Sequence, residues 1–430
     1  MKKTLITLGF AALGLFQTAT AQLNITIDGG NASALPIAVA AFENNGAPLP
    51  HTMSEIISND LARSGQFKPL SQDLLVDRVN ADSDINYGTW RLLGADFLSY
   101  GDIKHQGNGR IEVRFRLVSV ADQKQLLALT LPLDASQTRA GAHYIADRIY
   151  EAILGVPGVF STKLTYVTAV KNADGFQYQL IVADADGYAP QALVTSKEPL
   201  LSPAWSHDGQ RIAYVSFEQG NSSIFVQNLS TGARTMMTNF DGINGAPKFS
   251  PDGKQLAITL SKSGNPEIYT INLFDKKLKQ ITQHWAIDTE PEWSPDGRSI
   301  FFTSDRGGKP QIYQTDIASG KTSRVTFEGA YNARASLSPD GKYIALVHGN
   351  NNQYNISLYH RPSATIQRLS TGVLDESPSF APNGSMVLYA TKTPAGKGLL
   401  KAVSIDGQTT NDLVLSNGHV REPSWSPLLK

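Results

Sequence analysis

Cysteine is absent from this 430-residue chain. That rules out a disulfide frame, thiol chemistry and cysteine-based metal sites. An excess of charge is also missing, since 38 Lys and Arg balance 38 Asp and Glu. No basic field invites nucleic acid, and no acidic block forms a solvated tail. Long apolar runs are missing beyond the first residues. Lys2 and Lys3, the apolar run Leu5 to Phe16 and the small-residue site Ala19-Thr20-Ala21 read as a secretory leader over residues 1–21. The mature chain is then expected to begin at Gln22 as an exported, soluble protein. Neither a spanning segment nor a lipid-bearing Cys follows, so it should meet membranes only through partners.

Catalytic motifs are missing too. There is no H-E-x-x-H, no phosphate-binding G-x-x-x-x-G-K-[ST] and no G-x-S-x-G. The eight His show no metal-ligand spacing. Asp184-Ala185-Asp186-Gly187 lacks the further ligands of a calcium loop and reads as a turn. No metal ligand set is expected.

Two regions are present. Residues 22–157 mix element types. Thr52 and Glu55 have capping-box spacing, and Met53, Ile56, Ile57 and Leu61 then share one helical face. Ile111, Val113, Phe115 and Leu117 alternate with polar residues as a half-exposed strand. Ala142, Ile145, Ile149, Ala152 and Ile153 mark a second amphipathic helix. Gly155-Val156-Pro157-Gly158 breaks it. These features predict a small α/β domain.

Residues 158–430 are periodic. The apolar residues Trp205, Phe249, Trp293, Leu337, Phe380 and Trp425 recur at spacings of 44, 44, 44, 43 and 45. Short strands per ~40–45-residue unit indicate a β-propeller. Trp425 has no strands after it, whereas Leu164–Val170 and Tyr178–Asp184 have no such residue before them. Joined, the two ends complete one blade, so a six-bladed ring closed by the C-terminal strand is expected. Pro203, Pro247, Pro291, Pro378 and Pro423 precede these anchors by two residues, where a strand can start without its N–H. Asp208, Asp252, Asp296, Asp340 and Asn383 read as hairpin-turn residues.

Where the copies disagree, the ring leaves freedom. The residues before the repeated Pro position vary: Leu201-Ser202, Gly245-Ala246, Thr289-Glu290, Ala333-Arg334, Glu376-Ser377 and Arg421-Glu422. All six sets should converge as loops on one mouth of the channel, a place for a binding face. A cation held by Glu290 and Glu376 is compatible with this pattern but not required by it. At the other end of the chain, QLNITIDGG is a short alternating strand followed by two glycines. Two readings stay open: an edge strand of the small domain, or a detachable strand that adds to a partner's sheet.

The whole mature chain resembles the TolB family, the periplasmic propeller proteins of the Tol-Pal system. The resemblance rests on ITIDGG with PIAVAAF, SPAWS, NGAPKFSPDGKQLA, TEPEWSPDG, TSDRGGKPQIY, LDESPSFAPNGSMVLY and the final EPSWSP. It implies a non-enzymatic adaptor without cofactors that supports outer-membrane integrity and constriction at division. By resemblance, the lipoprotein Pal docks at the channel mouth on residues that include Ile243, Asn244, Ala246, Asp288, Thr289 and Glu290. The family often has His where this chain has Ile243. Loop position alone adds Arg334 and Glu376. The inner-membrane protein TolA would bind the segment Gln22, Leu23, Asn24, Ile25, Thr26, Ile27, Asp28, Gly29 and Gly30, with the two events coupled. Some colicins would use the same face. An exported propeller hydrolase or lyase acting on envelope polymers is the alternative, and a ligand-sensing accessory propeller a third.

Overall fold

The computed structural model describes residues 27–28, 33–75, 79–173, 175–350, 353–393, 395–413 and 418–429. The expected leader and residues 22–26, 29 and 30 of the proposed TolA-binding segment lie outside the described residues.

In the small domain, β2 (Leu35–Val39) runs parallel to β4 (Phe67–Pro69) and β5 (Phe97–Gly107), and the two-residue β3 (Glu43–Asn44) also pairs with β5. The strands β5, β6 (Arg110–Ser119) and β7 (Lys124–Asp134) follow as an antiparallel meander. Ile111, Val113, Phe115 and Leu117 of β6 are fully buried beneath α1 (Met53–Arg63) and α3 (Thr138–Leu154). The expected helical face of α1 is buried, but Thr52 caps it without a side-chain hydrogen bond. The opposite sheet face covers Trp90 of the short α2 (Tyr87–Leu92). Helix α3 ends where Gly155 takes a φ of 74°, a left-handed cap that a side chain would strain.

The remaining strands form six four-stranded blades. Five are contiguous in sequence. In blade 1 the innermost strand His419–Trp425 pairs antiparallel with Lys163–Asn172, 250 residues away in the chain, with Trp425 opposite Leu164. The expected split blade is therefore present. The anchor indoles brace the ring: Trp205 Nε1 donates to Ser424 O (3.2 Å) and Trp293 Nε1 to Lys248 O (3.1 Å) of the preceding blade, while Trp425 Nε1 donates to Thr162 Oγ1 (2.8 Å) within the split blade. In each Ser-x-Asp-Gly turn the Ser hydroxyl donates to the Asp, as in Ser250 Oγ to Asp252 Oδ1 (2.6 Å). Those carboxyls, though exposed, are engaged in closing their own turns.

Two expectations change. The repeated Pro does not start its strand. Each inner strand begins earlier, for example at Asn244 or Asp288, and the Pro falls in a bulge where the ladder shifts register. The bulge removes the Pro nitrogen from the ladder, so its missing N–H costs nothing. The second change concerns the N-terminal strand. β1 (Ile27–Asp28) is not an edge of the small domain. It pairs antiparallel with the outermost strand of blade 6, Thr410–Leu413, placing Ile27 opposite Asn411 and Asp28 opposite Thr410.

Ring closure rests on Trp425, which is buried between the first and last blades. Trp425→Ala should cost roughly 3–5 kcal/mol of stability, as expected for emptying a buried Trp site. Denaturant unfolding of the variant checks this, and no shift in midpoint would mean that the ring closes without the indole.

Candidate functional site

The channel is lined by alternate residues of the six inner strands. Nearest one mouth lies the ring Ser202, Ala246, Glu290, Arg334, Ser377 and Glu422, around a chamber of about 80 Å³. That volume holds a few waters. All six residues have φ between 47° and 56° although none is glycine. The bulge before each Pro imposes this left-handed backbone and turns the side chain inward. These positions are thus strand residues within the channel, not loop residues as the sequence pattern suggested.

Glu290 is not an exposed loop residue either. Its Oε1 accepts from Arg334 Nε (2.7 Å), and its Oε2 accepts from Thr303 Oγ1 (2.9 Å) and Arg334 N (3.2 Å). The same guanidinium donates to Ser377 Oγ and stands 4.0 Å from Glu422. Glu422 in turn accepts from Ser202 N. Burial alone would favour a neutral Arg334, but Glu290, Glu422 and Glu376 hold it firmly charged. The acids of the ring therefore face a fixed cation, the Arg334 guanidinium.

Asn244 and Asp288 of the expected Pal-facing set are fully buried. Each begins an inner strand; Asn244 pins the loop before it, whereas Asp288 holds the turn that follows the second strand of its own blade. Asn244 Oδ1 accepts from Phe240 N (3.0 Å), and Asp288 takes the guanidinium of Arg306 (2.6 Å). Their side chains shape the mouth without reaching its surface. Thr289, Ala246, Arg334 and Glu376 are half-buried, and Ile243 is exposed.

The sequence reading missed the apolar rim. Six residues before four consecutive anchors stand Ile243, Ile287, Tyr331 and Leu374, whereas blades 2 and 1 have Pro199 and His419 there. Around them Trp285, Phe327 and Val373 are 78 %, 70 % and 72 % exposed. The loops joining consecutive blades thus carry a crescent of large apolar side chains along about two-thirds of the mouth. Of these, Tyr331 is half-buried and the others are exposed, more large apolar side chains than a purely solvated rim needs. The signal was present in the repeat, at an offset the comparison of pre-Pro residues did not include.

The joint between the domains is ionic. Arg139 of α3 binds Asp184 and Asp186 of blade 1, and Lys163 also binds Asp184. Arg63 of α1 donates to Ala185 O (2.9 Å) and Asp60, while Asp60 meets His143 Nδ1 at 2.5 Å. Asn411 Nδ2 of blade 6 donates to Arg63 O (2.5 Å). Donor atoms of Asp60, His143 and Asp186 lie within 4.8 Å of one another, close enough for a metal to bridge. Both carboxylates already carry guanidinium partners, so an added dication would meet two fixed positive charges. The Asp184–Gly187 segment is accordingly a docking turn.

Among the described residues no helix is long and apolar enough to cross a membrane. Fold and mouth together define a propeller with a docking face and a small α/β domain clamped to its split blade. Residues 150–429 match the TolB beta propeller domain family, and residues 23–126 match the TolB amino-terminal domain family. The Tol-Pal system protein TolB of Nitrosococcus oceani is 58% identical over 408 residues, 95% of this chain and 94% of that protein. The TolB protein of Xanthomonas euvesicatoria is 50% identical over 99% of both chains. The crystal structure of TolB from Acinetobacter baumannii superposes with a TM-score of 0.87 at 41% identity, covering 94% of this chain and all of that one. The chain belongs to the TolB family and is a component of the Tol-Pal system.

Burial pushes the Asp186 carboxyl up, but Arg63, His143 and Arg139 outweigh it and pull it below its usual 3.8. A depressed carboxyl contributes stability above its unfolded value and loses it as pH falls through the folded one. The joint should therefore weaken below about pH 4. Asp186→Asn should flatten that part of the thermal-stability profile. An identical acid limb in the variant would remove Asp186 from the joint's electrostatics.

Proposed function

We propose that the protein is a periplasmic, non-enzymatic adaptor that binds the lipoprotein Pal at the channel mouth and TolA through its N-terminal segment. In that role it supports outer-membrane integrity and constriction at division. The observation that carries the reading is the pairing of Ile27 and Asp28 with the outer edge of blade 6. A strand held there by main-chain hydrogen bonds can be exchanged for the sheet edge of a partner, because strand addition needs backbone groups and little side-chain specificity.

At the other end, the apolar crescent supplies what a protein partner needs: desolvated apolar contact around a half-polar centre. The central ring fits recognition better than turnover. Arg334 is bound to Glu290 and stands beside Glu422, whereas an acid–base pair would need groups free to exchange protons with a substrate. Arg334 also supplies the charge that a channel cation would bring, so no cofactor enters this reading. Colicins that use the face would meet the same crescent.

Deletion of Gln22–Gly30 should abolish binding of TolA and alter the affinity for Pal, since coupling between two sites is reciprocal. Calorimetry with each purified partner measures both, and normal TolA binding by the deletion variant would overturn the strand-exchange reading. At the mouth, Ile243→Asp should weaken Pal binding at least ~10-fold with little change in melting temperature, because Ile243 is exposed. Glu290 is a poor probe, since removing it strands Arg334 in the channel.

A further inference from the structure

The loop into blade 4 is tied down more completely than an exposed connection needs. Glu267, buried at the start of the third strand of blade 3, accepts from Thr282 Oγ1 (2.5 Å) and His284 N (2.6 Å). Asn265 Nδ2 donates to both His284 O (2.7 Å) and Ala286 O (2.8 Å). Ala286 N donates to His284 Nδ1 (3.1 Å), and Ile287 N to Asp305 Oδ1 (2.8 Å). At the apex stands Trp285, the most exposed aromatic on this face, its indole 5.1 Å from the His284 ring.

The equivalent repeat positions of blades 2, 4, 5 and 6 are Ser223, Gln311, Asn355 and Gly398. Blade 3 alone among these uses a carboxylate, and it does so in a buried place with no cation among its hydrogen-bond partners. Burying such a group is costly unless several donors converge on it. Here the donors belong to the loop, so the carboxylate and the loop conformation require each other. The consequence is mechanical. Trp285 cannot fold down to bury its ring and is held out in water with its loop already ordered.

We propose that Trp285 is the anchor residue of the docking face and Glu267 its positioning residue. This rests on the reading of the mouth as the Pal-binding site. The indole supplies apolar contact to Pal beside the exposed Ile287 of the same loop, while the stapled loop removes the ordering cost that a mobile Trp would incur on binding. A Trp at the rim of an apolar crescent, presented rigidly, has the properties of an interface hot spot. An isolated surface Trp would need neither the crescent nor the staple.

The test uses the full mature protein and the purified periplasmic domain of Pal from the same bacterium, by calorimetry and surface-based kinetics. Trp285→Ala should melt like the parent yet bind Pal at least ~30-fold more weakly. Glu267→Ala should raise amide exchange across residues 283–287 and weaken Pal binding with Trp285 still present, and Glu267→Gln should recover part of both. Parent-like affinity in Trp285→Ala overturns the anchor assignment. Parent-like affinity in Glu267→Ala, with the loop loosened, overturns the positioning role. Should Glu267→Ala not fold, Trp285→Ala decides alone. Failure of the parent itself to bind Pal removes the reading of the mouth and, with it, this inference.

Discussion

Everything functional in this molecule hangs on one long-range strand pairing. The strand His419–Trp425 closes blade 1 against Lys163–Asn172, and only then do six inner strands surround a common axis. Without closure the six pre-Pro side chains would face solvent along an open array. With it they meet in a small channel, where burial makes Arg334 and its glutamates depend on one another. The same closure brings the turn after Asp184 beside α1 and α3, so the small domain is fastened to the blade in which the ring is sealed. Closing a loop of this length is entropically expensive, though the cost grows only slowly with length. Burial of the anchor aromatics between blades offsets it.

The ring also imposes its own strain. A left-handed residue recurs before each Pro position in all six blades. Since every copy carries it, the conformation belongs to the architecture and not to a site. What varies is the side chain placed there: Ser, Ala, Glu, Arg, Ser and Glu in order around the axis. Blade geometry thus sets where these groups sit, and sequence divergence between copies sets the chemistry. The apolar crescent at the rim follows the same division of labour, with four consecutive blades apolar at one offset and two not.

Blade 6 links the two ends of the proposed adaptor. Its outer strand pairs with Ile27 and Asp28 through the backbone, while Asn411 of that strand holds the carbonyl of Arg63 in the small domain. Arg63 reaches onward to Ala185 in blade 1. Ile27 and Asp28 therefore pair with a strand that also touches the small domain. A change in the small domain would be felt at that edge.

Much of this was legible in the residues. The regular spacing of Trp205 through Trp425 determined the blade count, and the unmatched half-copies at the two ends determined how the ring closes, because propeller blades are built from local hairpins whose signals lie close together in sequence. The faces of α1 and β6 were equally readable from their periods, as was that of α3 except at Ala152, which is exposed. The same information could not say that Asn244 and Asp288 are buried pins or that Glu290 is engaged by Arg334, 44 residues away. Nor could it show that β1 joins a blade in place of its own domain's sheet. Those outcomes depend on which backbone edges and charges are brought together across blades. Local pattern determined the elements and their number; only the closed tertiary structure decided which side chains share a low-dielectric channel and which strand edge was left free for the N-terminus.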